Sequence, residues 1–218
     1  MEEKPRVLDK KFWPKRLLEI PEPPKKLWIS GKLPDTKIKW LTVVGSRRNT
    51  NYGEDVCRTL INKLSNKPVV IVSGLALGID QIALESALEA NLKCVAIPGS
   101  GLNKNLLYPP QNLKLANKII EQDGCLISEL SPDEKAALWT FPKRNRIMAG
   151  LSHSILIIEG EKKSGTLITA KLASDYNRDV LTIPGNIFSK NSFGPHMLIK
   201  LGATPITYSE DLFEALGF

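Results

Sequence analysis

This chain is poor in cysteine and histidine and shows no catalytic or metal-ligand motif. Its three cysteines, Cys57, Cys94 and Cys125, are far apart and form no C-x-x-C pair. Each lies in or beside an apolar run, so three buried free thiols in a reducing compartment are expected. Only two histidines are present, His153 and His196, and no H-E-x-x-H or G-x-S-x-G motif occurs. His153, between an expected helix and strand, is read as a surface or packing residue. No apolar run approaches the about 18 residues of a membrane span. The first residues, MEEKPRVLDKKFW, are charged and lack the apolar centre of a signal peptide. A cytoplasmic protein with no membrane partner is expected, with no cofactor and no metal.

Hydrophobic residues make up 42% of the 218, which is enough for a substantial core. Thirty basic residues face 23 acidic ones, leaving a net charge of +7 that favours an anionic partner.

Prolines crowd the start of the chain. Pro5, Pro14, Pro21, Pro23, Pro24 and Pro34 alternate with Phe12, Trp13 and Trp28. Proline at this density prevents long helices and interrupts strand ladders. Residues 1–37 are therefore expected to be an extended lead-in whose aromatics pack on the domain, with at most a short helix near 14–20. Residues 38–218 form the domain itself. There, short Val- and Ile-rich runs predict strands over 40–44, 69–72, 93–97, 125–128, 154–158, 180–183 and 205–207. Helices are predicted over 53–64, 79–90, 113–122, 145–151, 166–176, 194–201 and 210–216. Strands apolar on both faces, each followed by a glycine turn and a helix, imply an α/β fold. Its sheet would be doubly wound and mostly parallel.

Three glycine turns follow three of the strands: Gly45-Ser46-Arg47-Arg48, Ser73-Gly74 through Gly78-Ile79-Asp80, and Glu159-Gly160 through Ser164-Gly165-Thr166. None is G-x-G-x-x-G or a P-loop. In an open α/β sheet such turns gather at the carboxyl ends of the strands, where helix N-termini present free N–H groups to anions. Phe141, Lys143, Arg144, Asn145 and Arg146 add a flat ring, cations and planar donors to the same rim. Phosphate with base stacking is the ligand such a set suits best. Asp80, Glu129 and Glu159 are read as supporting carboxylates that orient arginines, with Glu129 and Glu159 paired to Arg144 or Arg146.

These pieces resemble the DNA-processing protein A (DprA, also called Smf) family. The resemblance is carried by Val43-Val44-Gly45-Ser46-Arg47, Val72-Ser73-Gly74-Leu75-Ala76-Leu77-Gly78-Ile79-Asp80 and Tyr108-Pro109. It continues through Ser128-Glu129, Phe141-Pro142-Lys143-Arg144-Asn145-Arg146, Ser164-Gly165-Thr166, Pro184-Gly185, Leu198-Ile199 and Gly202-Ala203. It spans roughly residues 20–216. It implies an extended Rossmann-like fold in a minimal form, without a C-terminal winged-helix domain. It also implies a non-enzymatic, homodimeric protein that binds single-stranded DNA and loads the RecA recombinase on it, notably in natural transformation. The DNA pocket implied by the resemblance comprises Gly45, Ser46, Arg47, Arg48, Phe141, Lys143, Arg144, Asn145, Arg146, Ser164, Gly165 and Thr166. Two positions depart from the family pattern: Leu84 stands where a histidine is usual, and His196 where an asparagine is. The C-terminal surface around Leu198, Leu201, Leu212 and Phe213 is the expected dimer face. The alternative reading is a nucleotide-binding or nucleotide-processing protein of the phosphoribohydrolase kind. That family's Pro-Gly-Gly-x-Gly-Thr-x-x-Glu signature is absent, since Thr166 is followed by Leu167-Ile168-Thr169-Ala170.

Overall fold

A computed structural model describes residues 4–218; the first three residues of the expected lead-in and charged N-terminus lie outside the described residues. In chain order the elements are β1 (Arg6–Val7), α1 (Lys15–Leu18), β2 (Trp28–Gly31), β3 (Lys39–Val44), α2 (Asn51–Lys63), β4 (Val69–Ser73), α3 (Ile79–Glu89), β5 (Lys93–Ala96), α4 (Leu113–Glu121), β6 (Cys125–Ser128), α5 (Thr140–Leu151), β7 (Ser154–Ile157), α6 (Gly165–Asp175), β8 (Asp179–Thr182), α7 (Phe193–Lys200), β9 (Thr204–Pro205) and α8 (Ser209–Leu216). One nine-stranded sheet runs in the order β1-β2-β6-β5-β4-β3-β7-β8-β9. From β6 to β9 every neighbouring pair is parallel; β2 joins β6, and β1 joins β2, antiparallel.

Strand alternation divides the core in two. Leu41, Val43, Val69 and Ile71 face one side of the sheet, with Cys57 and Ile61 of α2, Ala83 and Leu84 of α3, Ile119 of α4 and Leu212 of α8. Trp40, Val44, Val70 and Val72 face the other, with Leu17 of α1, Ile147 and Met148 of α5, Ala170 of α6 and Leu198 of α7. Helices thus cover both faces, and the central strands need no polar side. The three cysteines are free and buried, and burial pushes the Cys57 and Cys94 thiols up to about 12. Leu84, the departure from the family histidine, is fully buried core.

Two elements differ from the sequence expectation. The lead-in was expected to hold no strand. It contributes β1 and β2 to the sheet and packs Trp13, Leu17, Ile20, Leu27 and Ile29 into the second core. Phe12, by contrast, stays exposed. Helix α5 was expected from Asn145, but begins at Thr140, so Phe141, Lys143, Arg144 and Arg146 all lie on its first turns. Pro142 does not stop it, because a first-turn residue has no intrahelical N–H bond to lose.

Candidate functional site

From β3 the chain steps one way through β4, β5 and β6, then returns to place β7, β8 and β9 on the other side of β3. Connections therefore leave the β3 and β7 ends in opposite directions and open a crevice there. The crevice is a cavity of about 420 Å³ lined by Gly45, Ser46, Arg47 and Arg48 after β3, and by Lys163, Ser164, Gly165 and Thr166 after β7. Phe141, Arg144 and Asn145 of α5 complete the wall. Ten of the twelve residues named from the sequence and the family resemblance meet here.

Local chemistry shapes each loop. Thr50 caps α2 by accepting from Gly53 N–H (3.2 Å). Its own N–H and hydroxyl donate to Glu159 Oε2 (2.9 Å) and Oε1 (2.6 Å). Ser164 caps α6 by accepting from Thr166 N–H (3.2 Å), while the Thr166 hydroxyl donates to the Gly45 carbonyl (3.2 Å). Hence the two loops are cross-braced. A Cβ added to Gly165 would meet no atom within 4 Å, so the first turn of α6 faces open space. Free N–H groups at such a turn favour an anion.

The turn after β4 supplies the floor. Gly78 has φ +79°, and a Cβ there would come within 2.8 Å of Arg47 Cα, so only glycine lets this turn press on the β3 loop. Asp80, in the first turn of α3, accepts from Gly74 N–H (3.1 Å). Its Oδ2 lies 3.8 Å from Arg144 Nη1, with both side chains 7% exposed. Burial pushes the Asp80 carboxyl up, against the pull of Arg144 and of the Ala76 and Gly74 N–H groups. Burial likewise pushes Arg144 down to about 10, with Asp80 opposing. Arg144 Nη1 also donates to Met148 Sδ (3.0 Å), but its Nε is buried without a hydrogen-bond partner. The guanidinium is therefore under-compensated on the pocket wall, a costly state for a buried cation.

The ring of Phe141 carries Arg47 Cζ 5.1 Å above it and meets Tyr108 at 5.8 Å. Lys143 and Arg146 do not line the cavity. Arg146 Nη2 donates to Glu129 Oε1 (2.5 Å) and Oε2 (2.6 Å), its Nη1 donates to the Glu22 carbonyl (2.6 Å), and Lys143 Nζ lies 3.7 Å from Glu129. Glu129 thus pairs with Arg146 as expected. Glu159 does not pair with an arginine. It serves the Thr50 cap, because its oxygens are already taken by Thr50 and by Asn191 Nδ2 (3.2 Å).

Asn191, which sequence reasoning missed, also donates to the Arg48 carbonyl (2.9 Å). No local signal marks it; its partners come from loops far along the chain. Lys163, Met148 and Thr169 also line the cavity, as do the carboxylates of Asp80 and Glu161. His153 accepts from Trp40 N–H through Nδ1 (3.1 Å), and His196 Nε2 lies 3.0 Å from the Gly185 carbonyl, so both histidines hold backbone. At the C-terminal surface, Leu212 is fully buried and Leu198 nearly so, whereas Leu201 is 75% exposed.

A family model described as DNA recombination-mediator protein A matches residues 5–217. Protein Smf of Escherichia coli is 40% identical over 210 residues, covering 96% of this chain and 56% of that protein. The chain thus spans little more than half of that relative's length. Among solved structures, DNA processing protein A of Streptococcus pneumoniae superposes with a TM-score of 0.88 at 35% identity, covering 98% of this chain and 75% of that one. DNA processing protein A of Helicobacter pylori, whose structure is described as giving insight into a unique single-stranded DNA binding mode, superposes with a TM-score of 0.85 at 30% identity. That match covers 98% of this chain and 96% of the other.

Proposed function

The chain belongs to the DNA recombination-mediator protein A family, and from this premise we propose that it binds single-stranded DNA in the crevice between the β3 and β7 loops. The backbone phosphates sit against the first turn of α6, Arg47, Arg48, Lys163 and Arg144, and a base stacks on Phe141. The observation that carries this reading is Arg144, a buried guanidinium with an unpartnered Nε and a carboxylate only at 3.8 Å. A phosphate in the crevice supplies countercharge to this under-compensated guanidinium. The Helicobacter pylori relative, described by its single-stranded DNA binding mode, shares this fold across nearly the whole chain.

The role is binding rather than turnover. Glu129 is committed to Arg146 and Glu159 to Thr50 and Asn191, and neither lines the cavity; Asp80, which does, is held between Arg144 and the Gly74 N–H. The bound strand is handed to the RecA recombinase during recombination of incoming DNA, as in natural transformation. A second copy of the chain covers the apolar groove between α6 and α7, where Ile168 and Leu201 stand exposed. No helix among the described residues is long and apolar enough to cross a membrane.

Fluorescence anisotropy with labelled single-stranded and duplex oligonucleotides, at two salt concentrations, tests the reading. Salt-sensitive preference for the single strand, lost in Arg144→Ala, is expected. Equal binding of both forms, or no binding of either, overturns it.

A further inference from the structure

The turn after β8 carries an apolar tip that neither core uses. Ser189 N–H donates to the Asn186 carbonyl (3.0 Å), and Phe188 N–H donates to Asn186 Oδ1 (2.9 Å). Asn186 thereby closes a tight turn with Ile187 and Phe188 at its two central positions. Such positions ordinarily take Gly, Pro, Asn, Asp or Ser. Here two large apolar side chains stand 77% and 88% exposed.

The segment is tied to both sides of the crevice. The Asn191 carbonyl accepts from Gly160 N–H (2.7 Å), and the Gly160 carbonyl accepts from Gly194 N–H (2.7 Å). Asn191 Nδ2 donates to the Arg48 carbonyl (2.9 Å), and the Tyr52 hydroxyl donates to the Pro184 carbonyl (2.6 Å). Tip and crevice are therefore parts of one braced rim. Its charge has one dominant sign: Arg48, Lys162, Lys163 and Lys190 are exposed, and Lys162 Nζ lies 5.6 Å over the ring of Phe193.

We propose that the 186–189 turn is a second base-stacking subsite, with Phe188 as its platform, that continues the single-strand track beyond the crevice. The inference rests on the function proposed above. A base offers an uncharged flat face and its backbone a regular negative charge, so a bare aromatic among cations matches both parts of one ligand. A duplex buries its base faces in its own stack, so the same tip favours a single strand. An apolar tip alone would equally suit a protein. The flanking cations and the bonds to the Arg48 and Gly160 loops favour the polyanion that enters the crevice.

The test is anisotropy with oligothymidylates of about 4 to 16 nucleotides, the range of site sizes of single-strand-binding OB-folds. The native chain, Phe188→Ala, Phe188→Tyr and Arg144→Ala are compared at several salt concentrations. Phe188→Ala is expected to bind the shortest strand as the native chain does and the longer ones about tenfold more weakly, the size of one lost stack. Its salt slope stays native, because every phosphate-binding cation is kept, and Phe188→Tyr restores affinity. Native affinity of Phe188→Ala at every length, with Arg144→Ala still defective, overturns the subsite and leaves the crevice reading intact. Failure of the native chain to bind any length removes the crevice reading, and the subsite with it.

Discussion

Arg144 and Asp80 face each other across the pocket floor at 3.8 Å, each almost wholly buried and each pushed by burial towards its neutral form. The pair is held by tertiary packing, since one residue comes from α5 and the other from α3. Asp80→Ala leaves the guanidinium with no carboxylate at all. A stability loss on the order of 3 kcal/mol is expected, because an unpaired buried charge is the costly product of breaking such a pair. Urea denaturation checks it. Added single-stranded DNA is expected to recover part of the loss, since a phosphate replaces the missing charge; no recovery would contradict a phosphate site at Arg144.

Gly74 sets the height of that floor. A Cβ there would overlap Arg144 Nη1 and approach Asp80 Oδ2 to 2.5 Å. Gly74→Ala must therefore displace the guanidinium. Binding is expected to fall by on the order of 1–3 kcal/mol, as for loss of a charge-assisted bond. The crevice can relax outward, so the stability loss is smaller. Anisotropy and thermal melts on the same variant separate the two effects.

Much of this was legible in the sequence, for reasons visible in particular residues. Short Val- and Ile-rich runs such as 69–72 and 154–158 suit strands covered on both faces, and β4 and β7 lie on them. Strand β2 was hidden because Trp28-Ile29-Ser30-Gly31 is short and sits among prolines. It exists as a strand through its pairing with β6, and pairing rather than local propensity decides such a case. The separation of Arg144 from Arg146 was hidden too. Two positions apart on a helix turns a side chain by roughly 200°, so one arginine faces the crevice and the other Glu129. A helix starting at Asn145 would have both arginines at or before its first turn. Likewise Glu159 was misplaced because its partners, Thr50 and Asn191, are long-range.

An arginine on the crevice wall and one turned away from it are expected to behave oppositely when removed. Arg48 is exposed on the crevice wall, and Arg48→Ala is expected to flatten the salt dependence of single-strand binding by about 0.7 log units per tenfold salt for each phosphate it ceases to neutralise. Its thermal stability should stay native. Arg146 makes a two-oxygen bond to Glu129 and a third bond to the Glu22 carbonyl. Arg146→Ala is expected to cost about 2 kcal/mol of stability while leaving the salt slope unchanged. Parallel titrations in salt and urea decide it; a native slope in Arg48→Ala places the phosphate track elsewhere.

His153 gives the fold an acid-side dependence that does not involve the ligand. Its Nδ1 accepts from Trp40 N–H, and burial together with Arg16, Lys39 and Arg178 lowers it to about 4 from 6.5. The folded state thus keeps the ring neutral, while the unfolded chain takes up a proton below about 6.5. Proton uptake by the unfolded state makes stability fall as pH drops from about 6.5 to about 4, and rise again in the opposite direction. The ring is only partly buried, so solvent screening keeps the effect to on the order of 1–2 kcal/mol. His153→Asn presents an amide oxygen near the Nδ1 position and does not titrate. The melting temperature of the native chain is therefore expected to drop more steeply than that of His153→Asn between pH 6.5 and 4. Parallel melting curves across that window would show His153 to be inert as a proton-linked group.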